Sequence, residues 1–239
     1  MRIVVTNCNT TQEMTEEIVR GTRAAAGPGT TVIGLTPEWG PESAEGWLDS
    51  YLSAAAVMDL LSTYEGPAYD AVVMAGFGEH GREGVRELVD VPVVDITEAA
   101  AHLACLLGRR YGVVTTLERS CGQIEDSLEL AGVGRNCAGV VGTGLSVLDL
   151  SGDEARTEAA FLAAAERVCA AGAEVLVLGC AGMTGLQRVV GEKLGLPVVD
   201  GVGAGVKLAE SLVGLGLRTS RVGSFARPVV KRRGWGRGV

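Results

Sequence analysis

Cys180 stands where the apolar run Val175–Leu178 gives way to the turn Gly179-Cys180-Ala181-Gly182-Met183. Backbone N–H groups of such a turn, and of a helix that starts after it, favour a thiolate. A thiol in that place can take up a proton and return it, which makes Cys180 the first candidate for acid–base chemistry. An inert cysteine packed at a strand end is the competing reading. The surrounding residues 174–200, EVLVLGCAGMTGLQRVVGEKLGLPVVD, are echoed by residues 70–95, DAVVMAGFGEHGREGVRELVDVPVVD. Gly78 matches Gly182 and Gly81 matches Gly185; one inserted residue later, Pro92 matches Pro197 and Asp95 matches Asp200. Cys180 then falls opposite Gly76, which offers no side chain. Glu79 and His80 lie in the same loop as Gly76 and are the titratable groups that face the thiol from the other copy. Cys8, beyond the first strand, is a second thiol in this region, ranked below Cys180 as a reactive group.

A chain that repeats itself in this way predicts two similar half-domains with a site between them. Short apolar runs alternate with helical patterns, the mark of an α/β fold with mainly parallel sheets. Strands are expected at Arg2–Thr6, Thr31–Leu35, Ala71–Ala75 and Val91–Val94, and again at Gly112–Thr115, Cys137–Val141, Val175–Leu178 and Leu196–Val199. Thr10 with Glu13 three residues on predicts a capping box for a helix over 11–25. Further helices are expected over 47–64, 97–107, 119–131, 153–171 (capped at Ser151 or Asp153) and 203–215, with a short one after Gly81. Ligands of parallel sheets lie beyond the carboxyl ends of the strands. That rule brings together Asn7, Asn9 and Thr10 from one loop with Gly76, Phe77 and Gly78 from a second. Thr115 and Thr116 come from a third, and Ala181, Gly182 and Met183 from the fourth. These residues are the expected lining of a small-molecule site.

Composition narrows the alternatives. Hydrophobic residues make up 47% of the chain and charged residues 21%, which suits a packed core and excludes a disordered chain. A net charge of -8 argues against a nucleic-acid partner. The locally basic tail Lys231–Arg237 reads as a solvated terminus. No run approaches the ~20 apolar residues of a membrane helix, and residues 1–6 read as a strand rather than a signal peptide. A cytoplasmic homo-oligomer with no membrane partner is expected. The six cysteines form no C-x-x-C and no zinc spacing with the two histidines, so no metal site is expected.

Gly76-Phe77-Gly78-Glu79-His80-Gly81 formally matches the G-x-G-x-x-G of dinucleotide sites. The helix predicted after it is only about two turns long, short for that unit, and the run follows the third strand rather than the first. Asp95 and Asp200 are expected to cap the helices that follow them. Gly201-x-Gly203-x-Gly205 is read as packing.

Asn7-x-Asn9-Thr10-Thr11, Phe77-Gly78 and Val177-Leu178-Gly179-Cys180-Ala181-Gly182-Met183 resemble the hydantoin and allantoin racemases of the aspartate/glutamate racemase superfamily. The likeness runs through the chain to Glu210-Ser211-Leu212. It implies a cofactor-independent isomerase with two pseudo-symmetric α/β lobes, acting at the carbon alpha to a carbonyl of a substrate such as a 5-substituted hydantoin. The family pattern also implies the division, residues 1–96 with 208–239 returning to them, and residues 97–207. It further implies one cysteine from each lobe on opposite sides of that carbon. Here the first of these positions is Gly76, and Glu79-His80 stands where the family has Asp-Pro. Either His80 or Glu79 supplies the second acid–base group, or the chemistry is one-sided. One-sided chemistry is the pattern of the arylmalonate decarboxylases, which pair a glycine with a single cysteine. A ligand-binding protein without catalysis is a third reading.

Overall fold

The computed structural model describes residues 1–151 and 154–231. Asp153, one of the two caps expected for the helix over 153–171, and the basic tail beyond Lys231 lie outside the described residues. Among the described residues, eight strands form two four-stranded parallel sheets. The first holds β1 (Arg2–Thr6), β2 (Thr31–Leu35), β3 (Ala71–Met74) and β4 (Val93–Asp95) in the order β2-β1-β3-β4. The second holds β5 (Tyr111–Thr115), β6 (Cys137–Gly142), β7 (Val175–Leu178) and β8 (Val198–Asp200) in the order β6-β5-β7-β8. The order is the same in both, so the repeat in the sequence is a repeat of topology. Central strands β3, β5 and β7 are buried at every residue, as parallel strands covered on both faces must be.

The intervening helices are α1 (Gln12–Ala25), α2 (Trp47–Ser62), α3 (Arg82–Leu88), α4 (Ile96–Leu107), α5 (Cys121–Leu130), α6 (Glu154–Ala170), α7 (Gln187–Leu194) and α8 (Gly201–Gly214). Asp95 caps α4, accepting from the amides of Thr97 and Glu98, and Glu98 answers it to complete a capping box. Asp200 does the same for α8, accepting from the amides of Val202 and Gly203. The capping box expected at Thr10 and Glu13 is absent. The cap of α1 is Thr11, without a side-chain bond to the helix. Both threonine hydroxyls donate outward instead, Thr10 to the Pro41 carbonyl at 3.3 Å and Thr11 to the Glu42 carbonyl at 2.7 Å. A long segment without regular structure, residues 36–46, needs donors for its carbonyls, and these hydroxyls hold it against the start of α1.

The halves exchange their last helices. α4 leaves the first sheet and packs on β7 of the second, while α8 leaves the second sheet and packs on β3 and β4 of the first. The glycines of α8 permit this approach. A Cβ at Gly201 would lie 3.0 Å from the Ile96 carbonyl oxygen, and one at Gly205 would lie 3.1 Å from Val73 Cγ1. The central apolar core consequently draws on both sheets, with Ile3, Val5 and Val73 joined through α4 and α8 to Val113 and Val177. Each sheet has a further apolar layer on its outer face. The chain after α8 lies on the first half, where the Thr219 hydroxyl donates to the Val91 carbonyl at 2.7 Å and Arg221 pairs with Asp90 at 2.7 Å. No helix among the described residues is long and apolar enough to cross a membrane.

Candidate active site

Register decides which loops meet. Thr6 of β1 lies beside Met74 of β3, and Val114 of β5 lies beside Leu178 of β7. Two residues further on, the first sheet presents Cys8 next to Gly76 and the second presents Thr116 next to Cys180. These four positions surround a tight cavity of about 30 Å³ at the carboxyl ends of the strands. Asn7, Cys8, Asn9, Gly76, Phe77 and His80 line it from the first half. Thr115, Thr116, Ser120, Gln123, Val147, Gly179, Cys180 and Ala181 line it from the second.

Several lining residues are held by their own hydrogen bonds. The Asn7 amide donates to Asn9 Oδ1 (2.8 Å), the Thr11 carbonyl (3.1 Å) and Thr15 Oγ1 (3.1 Å). The Asn9 and Thr11 backbone amides donate back to Asn7 Oδ1 and Asn9 Oδ1. The asparagine pair thus fixes the loop that carries Cys8. On the other side, the Thr115 hydroxyl donates to the Gly179 carbonyl at 2.9 Å, tying β5 to the turn that carries Cys180.

Burial sets the charge state of both thiols. It is the largest influence on Cys180, whose pKa is pushed up to about 11; the Gly182 amide favours the thiolate and Glu45 opposes it. The backbone of the turn acts in the direction anticipated from sequence, but desolvation outweighs it. Burial also pushes Cys8 up to about 12, and the next contribution is the charge of Cys180. Cys8 is thus close enough to Cys180 for a charge on that thiol to oppose its own ionisation.

His80 is 3% exposed, with Nδ1 3.4 Å from Ser50 Oγ and Nε2 3.4 Å from the Phe77 carbonyl. Burial drives its pKa down to about 4, so the imidazole is neutral. Glu79 is not in the lining. Its Oε1 accepts from the Gly81 amide at 2.8 Å and its Oε2 lies 3.8 Å from Arg82. The left-handed Gly81 that opens α3 leaves an amide in need of an acceptor, and this draws the carboxylate away from Cys180. The sequence expectation that Glu79 faces the thiol is corrected on this point.

Other expected lining residues also serve as supports. Met183 is fully buried in the outer core of the second half, and Thr10 is bonded to Pro41. Gly182 faces a neighbouring groove with Leu150 and Met14. The Gly78 amide is taken by Thr97 Oγ1 at 2.8 Å. With the Gly81 amide also occupied and α3 only seven residues long, two of the run's three glycine amides are already engaged and the helix is too short to help cradle a pyrophosphate. Ser120, Gln123 and Val147 were not singled out from the sequence, since nothing in their spacing links them to a strand end. Among the described residues, no group of three His, Cys, Asp or Glu side chains is placed to hold a metal ion.

A family model, Asp/Glu/Hydantoin racemase, matches residues 3–209. The chain belongs to this family. A hydantoin racemase from Pseudomonas sp. (strain NS671) is 38% identical over 232 residues, covering 97% of this chain and 93% of that protein. Among solved structures, an allantoin racemase from Pseudomonas fluorescens superposes with a TM-score of 0.95 at 51% identity, covering 98% of this chain and 99% of the other. An allantoin racemase from Klebsiella pneumoniae gives 0.93 at 36% identity, covering 99% and 97%. This racemase thus matches these relatives over 93% or more of their length.

Proposed function

We propose that this racemase inverts the C5 carbon of a 5-substituted hydantoin, and that allantoin, the 5-ureido member of that class, is the substrate to test first. The end-to-end likeness at 51% identity to an allantoin racemase carries the reading, and the cavity with Cys180 at its wall is consistent with it. C5 lies next to the C4 carbonyl, so removing its proton gives an enolate. Inversion requires that the proton leave from one face and return on the other. Cys180 serves one face from the second half; the opposite face needs an acid–base group from the first. In this reading the amides of the strand-end loops and Thr116, which lines the cavity, stabilise the enolate oxygen. No cofactor has a part in this chemistry.

Enantiopure allantoin should lose its circular dichroism on incubation with the protein, and in D2O its C5 hydrogen should exchange. The variant Cys180→Ala should fold and lose ~10²-fold or more of this activity. A folded Cys180→Ala protein with full activity would exclude the proposed role. Gly76 favours a second reading, a one-sided decarboxylation in which Cys180 alone protonates a carbanion. An arylmalonate converted to a single enantiomer, with both allantoin enantiomers left untouched, would establish that reading instead. The exposed Trp47, Leu48, Tyr51 and Leu52 on α2 support a homo-oligomer; a monomer by light scattering would remove it. The six free cysteines suit a reducing, cytoplasmic setting.

A further inference from the structure

We infer that Cys8 is the second acid–base residue of the racemase, its thiol taking up in space the position left empty by Gly76. This inference rests on the racemase reading and supplies the group that reading lacks.

Packing carries the argument. A Cβ built on Gly76 would lie 2.7 Å from Cys8 Cβ and 2.8 Å from Cys8 Sγ, and closer still to His80 Cδ2. The sulfur of Cys8 therefore occupies the volume into which a side chain at position 76 would grow. β1 and β3 are adjacent and in register, so the thiol has moved sideways by one strand without leaving the strand end. Glycine at 76 is what leaves room for it. The thiol stays on the first-half wall of the cavity, with Cys180 on the second-half wall.

The competing groups are less well placed. Glu79 is committed to the Gly81 amide and Arg82 and does not reach the cavity. His80 lines the cavity, but both its ring nitrogens are directed to Ser50 and Phe77. Asn7 and Asn9 hold the Cys8 loop from behind and have no acid–base chemistry of their own.

The step balances with two thiols and nothing else. In one direction the Cys8 thiolate takes the C5 proton, and the C–H electron pair passes into the enolate with C4=O. The Cys180 thiol then gives its proton to the opposite face of C5. The thiol and thiolate have exchanged places, and the reverse reaction begins from that state.

The test uses Cys8→Ser and Cys180→Ser, with folding checked by circular dichroism and melting temperature. Each is assayed on both enantiomers of allantoin for racemisation and for C5 exchange in D2O. Both variants should lose ~10²-fold or more of racemisation. Exchange should persist in mirror image. Cys8→Ser should wash out the C5 hydrogen of one enantiomer only, through Cys180, and Cys180→Ser that of the other only. A purely structural role for Cys8 would not produce this pattern. The reciprocal swap Cys8→Gly with Gly76→Cys adds a rescue, expected to regain ~10-fold or more of racemisation over Cys8→Gly alone. An active parent whose Cys8→Ser variant racemises both enantiomers at parental rates would overturn the inference. So would a folded Cys8→Ser variant that exchanges neither. A parent inert on every hydantoin would instead remove the racemase reading and the role of Cys8 with it.

Discussion

Gly76 shows what a sequence repeat can and cannot reveal about a residue. Aligning strand with equivalent strand pairs Gly76 with Cys180 and draws attention to a missing thiol. It says nothing about the neighbouring strand, because the pairing of Thr6 with Met74 joins residues 68 apart in the chain. Cys8 was visible as a thiol but not as the neighbour of Gly76. The space between them also alters what a cysteine at 76 should do. Gly76 is not among the glycines with positive φ, so its backbone would accept a side chain, but Cys8 and His80 stand in the way. Gly76→Cys alone should therefore be overpacked by about 1–3 kcal/mol. Calorimetry should show a lowered melting temperature that partly recovers when Cys8 is also cut back to glycine. His80 gives a second prediction. Its folded pKa, about 4, lies below the ordinary 6.5, so the folded state binds fewer protons than the unfolded one. Its contribution to stability is complete above pH 6.5 and is lost as pH falls towards 4. Urea unfolding of His80→Gln should show a weaker loss of stability across that window than the parent; an unchanged slope would count against a buried neutral imidazole.

At the scale of elements, strands and aspartate caps were legible because each follows from local pattern: apolar runs of four to six residues, and Asp followed by a helical stretch. The start of α1 was misread because the hydroxyls of Thr10 and Thr11 answer carbonyls some thirty residues away, which no local motif encodes. Arg82 was missed for a similar reason. It is 1% exposed at the start of α3, 2.8 Å from Glu83 and 3.6 Å from both Asp95 and Glu98. It neutralises the carboxylates that connect α3 to the cap of α4. Asp95 is buried, and desolvation pushes its pKa up to about 7 against the pull of Arg82. Arg82→Met would leave the buried Asp95 without its cation, while Glu83 and Glu98 keep Arg86. Removing one partner of a buried ion pair costs about 3–5 kcal/mol, so chemical denaturation should show a loss of that order. A loss under about 1 kcal/mol would mean the cluster behaves like a surface pair.

For the whole molecule, the repeat announced two lobes of one topology, while the exchange of α4 and α8 between sheets is a matter of tertiary packing that the repeat leaves open. The segment 36–46 is another such feature. It leaves the first half and reaches the second beside the cavity, where Glu45 Oε1 accepts from the Val147 amide at 3.0 Å and the Ser120 hydroxyl donates to the Glu45 carbonyl at 3.1 Å. This contact brings a carboxylate from one half to bear on the thiol of the other, and Glu45 raises the pKa of Cys180. Around that thiol the Gly182 amide acts in the opposite sense, the Cys8 thiol faces it across the cavity, and His80 is neutral. With both thiols pushed above the ordinary cysteine range, the resting pair is protonated at neutral pH. The proposed two-thiol racemisation passes through a state with one negative charge shared between sulfur and enolate, so kcat/KM should rise with pH above neutrality and keep rising towards about 11, with an apparent pKa that belongs to the pair. Glu45→Gln keeps an oxygen for the Val147 amide and removes the charge. The anionic state is then less opposed, and the rising limb should move to lower pH. Because the equilibrium constant of a racemisation is one, kcat/KM must shift equally for the two enantiomers at every pH. A pH profile recorded from both directions checks the sign and this equality together. A limb that stays in place, or moves upward, would show that Glu45 does not act on the thiol pair.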